Sequence, residues 1–391
     1  MSQPSTHATI DPFYAIEINH LAHELIAQGR SVIQMQFGQP STGAPRAAIA
    51  AAHHVLDTDG MGYWESPKLI ARLARYYHET YGIQVDPKRF ILTCGSSPAL
   101  VLALSSSFAP GARIAMARPG YVAYRNTAKA LHLQPVEIDC GEAAHFRLSA
   151  ASLAALDPAP EGVIIASPAN PTGAIIGPRE LEAITKICRE RNIQIISDEI
   201  YHGISYIGPA RCMLEFDPSA IVVNSFSKYF SMVGWRLGWL LLPPERVQRA
   251  RAFFGNLFLT APSLSQHAAL AALDSREELE AHVAVYARNR ELLLKALPRF
   301  GLTSIAPPDG AFYIYADVAH LTHDSLAFCK DMLNATGVAT SSGVDFDPVN
   351  GRRFMRISFA VSTAEVEDAI KRMEPWFTSR RNQKIEDAVR G

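Results

Sequence analysis

The chain has no CxxC pair, and its five cysteines, Cys94, Cys140, Cys188, Cys212 and Cys329, are irregularly spaced. That argues against a zinc ribbon or a dithiol redox centre, and a reducing, cytoplasmic setting is expected. There is no HExxH. The histidine pairs His20/His23 and His53/His54 have no third ligand in register, so no metal site is expected. A Walker lysine and a GxGxxG are both missing, which removes the common nucleotide-binding loops. No apolar run reaches the length of a membrane span, and "MSQPSTHATIDPFY" lacks the charged-then-apolar order of a leader. A surplus of one charge is also lacking, since the net charge is −1, so no overall field draws the chain to nucleic acid or to an anionic membrane. The short basic clusters, such as Arg352-Arg353 and "SRRNQK", come with no nucleic-acid-binding motif and read as solvated faces.

What is present is core material: 48% of the 391 residues are hydrophobic, enough for a large α/β unit with an appendage. From about residue 85 to 245, short apolar runs alternate with helix-like segments. "FILTC", "RIAMA", "PVEI", "GVIIAS", "IQIIS", "IVVNS" and "GWLLL" are strand-like, and "PRELEAITKICRERN" opens with Pro178 and carries Leu181, Ile184, Ile187 and Cys188 at helical spacing. The alternation predicts a mainly parallel sheet covered by helices on both faces. Residues 275–297 read as one long amphipathic helix. Beyond it, "GAFYIYADV" and "RFMRISFAV" are strands among helical stretches, an α+β pattern, with which the first forty residues are expected to pack. The last dozen residues are polar and are expected to be disordered.

In open α/β sheets, ligands sit at the carboxyl ends of strands. After "FILTC" come Gly95-Ser96-Ser97 at a helix start, suited to a phosphate. After "GVIIAS" comes "PANPTG", exposing Asn170. After "IQIIS" comes "DEIY", with Asp198 and Tyr201, and after "IVVNS" come Phe226, Ser227 and Lys228. Taken singly, each has a bland reading: Ser96 and Ser97 as helix caps, "PANPTG" as a turn, Asp198 as a cap or ion-pair partner. Tyr121 and Tyr201 alone read as core aromatics and Lys228 as a surface residue. Together on one edge of one sheet they fit a specific chemistry. An aldehyde cofactor needs a lysine to hold it as a Schiff base. A pyridine ring acting as an electron sink needs a carboxylate to keep its nitrogen protonated. A ring phosphate needs N–H groups, hydroxyls and an arginine able to bind in bidentate fashion. The ring phenolate oxygen needs donors. Pyridoxal phosphate asks for all of these at once.

The elements "SFSKYFSMVGWRLGW", "NPTG" and "SDEIY", taken together, resemble those of the class I/II aminotransferases, the fold-type I pyridoxal-phosphate enzymes that include aspartate aminotransferase. The likeness runs from "VIQMQFGQPSTGAP" to "FMRISFA". It implies an α/β fold: a large domain over 45–285 with a mainly parallel seven-stranded sheet, and a smaller α+β domain from 1–44 and 286–391. It further implies that Lys228 holds pyridoxal 5'-phosphate and shuttles the proton, and that Asp198 pairs with the pyridine nitrogen. Asn170 and Tyr201 would bond the phenolate oxygen, and Tyr121 would stack on the ring. Ser96, Ser97, Ser225 and Arg236 would hold the phosphate. Arg356, in "MRISFA", matches the arginine that clamps the substrate carboxylate, with Gly38 as its backbone neighbour and Asn170 beside them. Tyr63 matches a phosphate contact donated across a homodimer, although "GYWESPKLIARLARYY" is about three residues shorter than the family's loop and lacks its glycine. The activity implied is ping-pong transfer of an amino group from an L-amino acid to a 2-oxo acid. A lyase, decarboxylase or synthase on the same scaffold is the alternative. Cys94, beside the expected phosphate loop, reads as a small core residue.

Overall fold

The computed structural model describes residues 10–390, by backbone alone beyond residue 383. Residues 1–9, part of the stretch inspected above for a leader, and Gly391 lie outside it. Helix α1 (Ala15–Ala27) buries Ile18, Ala22 and Leu25, a single apolar stripe at i, i+4, i+7. Strand β1 (Ile33–Gln34), helix α2 (Arg46–Thr58) and helix α3 (Pro67–Tyr81) follow. The bounds of α3 follow from its sequence. Ser66 Oγ accepts the Leu69 N–H, Pro67 sits in the first turn where a missing N–H is harmless, and Gly82 ends the helix at φ +72°.

The seven strands expected from the apolar runs are all present: β2 (Phe90–Thr93), β3 (Arg113–Arg118), β4 (Gln134–Asp139), β5 (Gly162–Ala166), β6 (Gln194–Asp198), β7 (Ile221–Ser225) and β8 (Gly238–Leu241). They form one sheet in the order β2-β8-β7-β6-β5-β3-β4. Only β8 runs antiparallel to its neighbours. The runs are continuously apolar because both faces are covered. Ile114, Ile164, Ile196 and Val223 feed one apolar layer, and Ala115, Val163, Ile195 and Val222, each one residue away, feed the other. Helices α4 (Ser96–Ser107), α5 (Val122–Ala130), α6 (Ala150–Ala154) and α7 (Pro178–Glu190) connect successive strands from β2 to β6. The first layer is closed by α4, α5 and α8 (Pro244–Leu257), the second by α3, α6 and α7.

After α9 (Ser263–Ala272) comes the long helix α10 (Arg276–Phe300), which ends at Gly301 with φ +82°. The C-terminal part then builds β9 (Tyr313–Asp317), α11 (Ser325–Thr336), β10 (Val338–Ala339), β11 (Ser341–Ser342) and β12 (Phe354–Ser358). Strands β11, β12 and β9 form a separate antiparallel sheet. The N-terminal stretch does pack here, with β1 pairing in parallel with β10, Ile33 opposite Val338. One expectation is corrected: the polar C-terminal stretch, as far as Arg390, continues a helix, α12 (Thr363–Arg390), rather than lacking structure. The segment "SRRNQKIEDAVR" has no glycine or proline and is rich in good helix formers, so propensity carries it where an apolar stripe does not.

Candidate active site

The carboxyl ends of β2, β5, β6 and β7 open onto one cavity of about 370 Å³. From those ends it receives Ser96, Ser97, Asn170, Asp198, Tyr201 and Lys228. Tyr121, Arg236, Gly38 and Arg356 complete the walls, so ten of the residues expected from the sequence share one space. A larger cavity, about 490 Å³ between α3 and α10, receives none of them.

The end of the site nearest α4 is a cradle of donors. The N-cap of α4 is Gly95, at φ +98°, and no side chain caps the helix, so its first N–H groups are open to a ligand. Arg236 lies against this turn, and a Cβ at Gly95 would come within 2.5 Å of its Nη2. Gly238 is forced in the same way. A Cβ there would lie 2.9 Å from the Gly95 carbonyl carbon and 3.1 Å from the Ser96 nitrogen, so β8 could not approach the start of α4. The glycine after Arg236 in "GWRLG" is thus the one that lets the arginine reach the helix start. Arg236 itself has φ +51°, and its Nη1 donates to the Val233 carbonyl at 3.0 Å. It forms no ion pair among the described residues, which leaves its charge for an anion at the cradle.

Lys228 is half-buried at the end of β7, and its Nζ donates to the Gly38 carbonyl. Burial, and then the positive charges of Arg356 and Arg236, push its ammonium down to about 8, with Asp198 opposing. An amine so shifted is available as a nucleophile near neutral pH. The turn that presents it is held from behind. Ser225 Oγ donates to the Leu237 carbonyl at 3.0 Å and accepts the Ser227 N–H at 3.0 Å.

Asp198 ends β6 and is buried. Its Oδ2 accepts the Tyr124 hydroxyl at 2.6 Å and its Oδ1 the Ile200 N–H at 3.1 Å. Burial raises its carboxyl above the usual carboxylate range, and those two donors pull it back. It forms no ion pair among the described residues. A buried carboxylate with neutral partners fits a cationic N–H ligand. Tyr201 is also buried, its hydroxyl 2.7 Å from that of Tyr313. Burial raises the Tyr201 phenol well above its ordinary value, so it remains a neutral donor.

Arg356 sits mid-strand in β12, 2% exposed. Its Nη1 donates to Asn170 Oδ1 at 2.8 Å and its Nη2 to the Gln36 carbonyl at 2.6 Å. Its Nε is buried without a partner. The guanidinium lies between the rings of Tyr313 and Phe346, each centroid 4.5 Å away. No carboxylate of the described residues pairs with it. A buried cation of this kind, unpaired and lining the cavity, is suited to an anionic ligand there. Gly38 is fixed by the same neighbourhood, because a Cβ would lie 1.6 Å from the Tyr313 hydroxyl oxygen.

Two expected residues are not brought to the cavity wall. Ser225 lies behind it, its hydroxyl used within the turn. Tyr63 is 82% exposed and does not line the cavity of its own chain. Other residues of the wall escaped sequence reasoning. Tyr124 was signalled by its position one helical turn after Tyr121, on the same face. Phe13, Phe37 and Tyr313 carried no local signal, since they arrive through tertiary packing of the N-terminal segment and β9.

Residues 30–373 match the profile of the family "Aminotransferase class I and II". The chain is 43% identical to the valine–pyruvate aminotransferase of Mycobacterium tuberculosis, over 95% of this chain and 98% of that one. Among solved structures, an aminotransferase from Mycobacterium tuberculosis superposes with a TM-score of 0.94 at 42% identity, covering 97% of this chain and all of the other. The aspartate aminotransferase of Thermus thermophilus with maleate gives 0.88 at 28% identity, covering 94% of this chain and 97% of the other.

Proposed function

The chain belongs to the class I and II aminotransferase family, and on that premise we propose that it uses pyridoxal 5'-phosphate, held by Lys228, to move an amino group from an L-amino acid to a 2-oxo acid in two half-reactions. The observation that carries this reading is that an amine, a carboxylate and a guanidinium share one cavity with none of them in an ion pair among the described residues. Lys228 has its amine pushed down to about 8, Asp198 is a buried carboxylate without an ion pair, and Arg356 is a buried cation without one. The donor set fits the cofactor. The open start of α4 with Ser96, Ser97 and Arg236 suits its phosphate, Asp198 its ring nitrogen, and Tyr201 and Asn170 its phenolate oxygen. Tyr121 would lie against the ring, and Ser225 supports the phosphate end through the turn it shapes. When bound, the cofactor supplies an aldehyde to take up the amino group and a pyridinium to accept the electron pair of the breaking Cα–H bond.

The chain's own residues do the rest. Arg356 binds the substrate carboxylate where its guanidinium lines the cavity, with Asn170 and the Gly38 backbone fixing its orientation. The Lys228 amine, once free, is the base that removes the α-proton and returns it. Asp198 keeps the ring nitrogen charged, and the Tyr124 hydroxyl holds that carboxylate in place. Lys228, Arg236 and Arg356 are the cations lining the cavity within one chain, and Phe13 and Phe37 add apolar surface. With the first two engaged by the cofactor, we propose amino acids with one carboxylate and an apolar side chain as substrates. The relative named as a valine–pyruvate aminotransferase supports this.

The assembly proposed is a cytoplasmic homodimer. Its supports are five free thiols and the exposed apolar side chains Tyr63, Leu257 and Leu259, carried on segments that the Thr260 hydroxyl joins to the Trp64 carbonyl at 2.7 Å. In that arrangement Tyr63 reaches the partner's cradle. The two bodies proposed are 45–285, and 1–44 with 286–391. The test is a half-reaction. With an apolar amino acid and no oxo acid, the bound pyridoxal phosphate band should give way to that of pyridoxamine phosphate, one per site. Continuous release of ammonia or carbon dioxide would instead indicate a lyase or decarboxylase.

A further inference from the structure

Beneath the site, on the side of β6 away from the cavity, lies a cluster of ionisable side chains that the reaction above leaves without a role. Glu199 and His202 are 1% and 4% exposed, and they occupy the turn between Asp198 and Gly203. Glu199 Oε1 accepts the Ser197 hydroxyl at 3.1 Å and the Met213 N–H at 2.8 Å. Its Oε2 is buried without a hydrogen-bond partner, and His202 Nδ1 is 3.5 Å from it. Burying a carboxylate with one oxygen unserved is costly, so a neighbourhood that keeps it is tightly constrained.

His202 is the centre of that constraint. Its Nε2 lies 3.0 Å from the carbonyl oxygen of Ser167. A carbonyl only accepts, so Nε2 carries the proton of that bond, and Nδ1 lies 2.8 Å from the Tyr81 hydroxyl oxygen. The ring therefore joins three segments. Ser167 follows β5 and stands three residues before Asn170. His202 follows β6 and stands four residues after Asp198 and one after Tyr201. Tyr81 closes α3. The turn is also fixed from above. A Cβ at Gly203, which has φ +91°, would lie 2.4 Å from the Tyr229 ring, the residue next to Lys228.

We infer that His202 is a positioning residue for the transfer reaction: by bonding the Ser167 carbonyl from the Asp198 turn, it sets the spacing between Asn170 on one strand end and Asp198 with Tyr201 on the next. The parallel pairing of β5 with β6 ends at Ala166 opposite Asp198. Beyond that point Gly310 and Ala311 link the two segments only indirectly, by donating to the Gly173 and Ile204 carbonyls, whereas the imidazole ties them directly beside Asn170 and Tyr201. Asn170 in turn accepts from Arg356, so the spacing reaches the substrate clamp as well as the ring seat. This inference rests on the cofactor reading given above.

The test separates positioning from mere stability. Glutamine at 202 can place its amide N–H where Nε2 stands and keep the bond to Ser167. Asparagine reaches only the Nδ1 side, and leucine keeps bulk alone. For each variant and for wild type, pyridoxal phosphate is titrated into the apoprotein, the visible circular-dichroism band of the bound cofactor is recorded, and kcat per bound cofactor and KM are measured. The expected result for His202→Leu is a fall in kcat per bound cofactor of about 10- to 100-fold, with an altered dichroic band. His202→Gln should recover most of both, and His202→Asn should not. If His202→Leu does not fold, the contrast of Gln with Asn carries the same test. The inference is overturned if Gln and Asn behave alike, or if the variants lower only the melting temperature while the band and kcat per bound cofactor stay at wild-type values. A wild-type protein that binds no pyridoxal phosphate would overturn the cofactor reading itself.

Discussion

At the ends of β5, β6 and β7, each side chain of the site leaves the backbone within four residues of a strand terminus, whereas Arg356 sits mid-strand in β12 and Gly38 and Phe13 come from segments with little regular structure. The strand-end half is held by the parallel ladder and by local turns, as with Ser225 and Ser227 behind Lys228. The other half is held by bonds between distant parts of the chain. Arg356 donates to the Gln36 carbonyl, and Asp345 accepts the N–H groups of Tyr14 and Ala15 at 2.7 and 2.9 Å. Asp11, two residues before Phe13, pairs with Arg125 and Lys129 of α5. The contrast assigns the two halves different work. On the proposed function, the strand ends would carry the proton and the charge of the ring, and the distant half would grip the substrate.

If that division is right, substitutions in the two halves should separate kcat from KM. The largest effect is expected at Asp198. Asp198→Ala should lower kcat by about 10²- to 10³-fold with cofactor still bound, because a charge aimed at the developing electron sink is lost. A near-normal single-turnover rate would remove Asp198 from that role. Arg356→Lys should act on the other side of the divide. It trades a planar bidentate donor for a point charge, so kcat/KM should fall by about 10- to 100-fold, mainly through KM. A drop confined to kcat would place Arg356 with the chemistry and blur the comparison.

The pH dependence of Lys228 sharpens it further. Burial and the two arginines lower this amine from 10.5 to about 8, so the free, nucleophilic form fills in as pH rises toward about 8. The rate at which apoprotein takes up pyridoxal phosphate covalently should rise about tenfold per pH unit below that point and level off above it. A rate still climbing toward pH 10 would mean that the lysine is not shifted. The smallest effect is expected at Tyr63, where Tyr63→Phe would remove the one hydrogen bond proposed across the dimer, worth about 1.5 kcal/mol or about tenfold in activity or cofactor affinity. In a heterodimer with a Lys228→Ala subunit, one site carries both changes and the other neither, so activity should recover to about half of wild type. An impaired Tyr63→Phe with no such recovery would return Tyr63 to its own subunit.

The same two halves differ in how far they could be read from sequence. The strand ends were legible because a strand buried on both faces is an apolar run, and a polar residue just past it stands out. Asn170, Asp198, Tyr201 and Lys228 were located that way, before any family likeness. Arg356 and Gly38 needed the likeness, since "MRISFA" by itself is an ordinary strand. Tyr313 and Phe13 stayed hidden because what brings them in is the docking of α1 on Asp345 and the close approach of β9 to Gly38, contacts between residues far apart in the chain. His202 was hidden for another reason. A histidine one residue past Tyr201 looks like the continuation of a turn, and only the geometry shows its Nε2 on the Ser167 carbonyl. The end of the C-terminal helix, past the buried stripe of Val366, Ala369, Met373 and Phe377, was missed because helix propensity without an apolar stripe leaves no periodic trace.

The most direct test of the whole account is where the cofactor becomes attached. Purified protein loaded with pyridoxal phosphate, reduced with borohydride and digested, should yield a single modified peptide with the label on Lys228, and the Lys228→Ala protein should yield none. A label on any other lysine, or equal labelling of Lys228→Ala, would contradict the account.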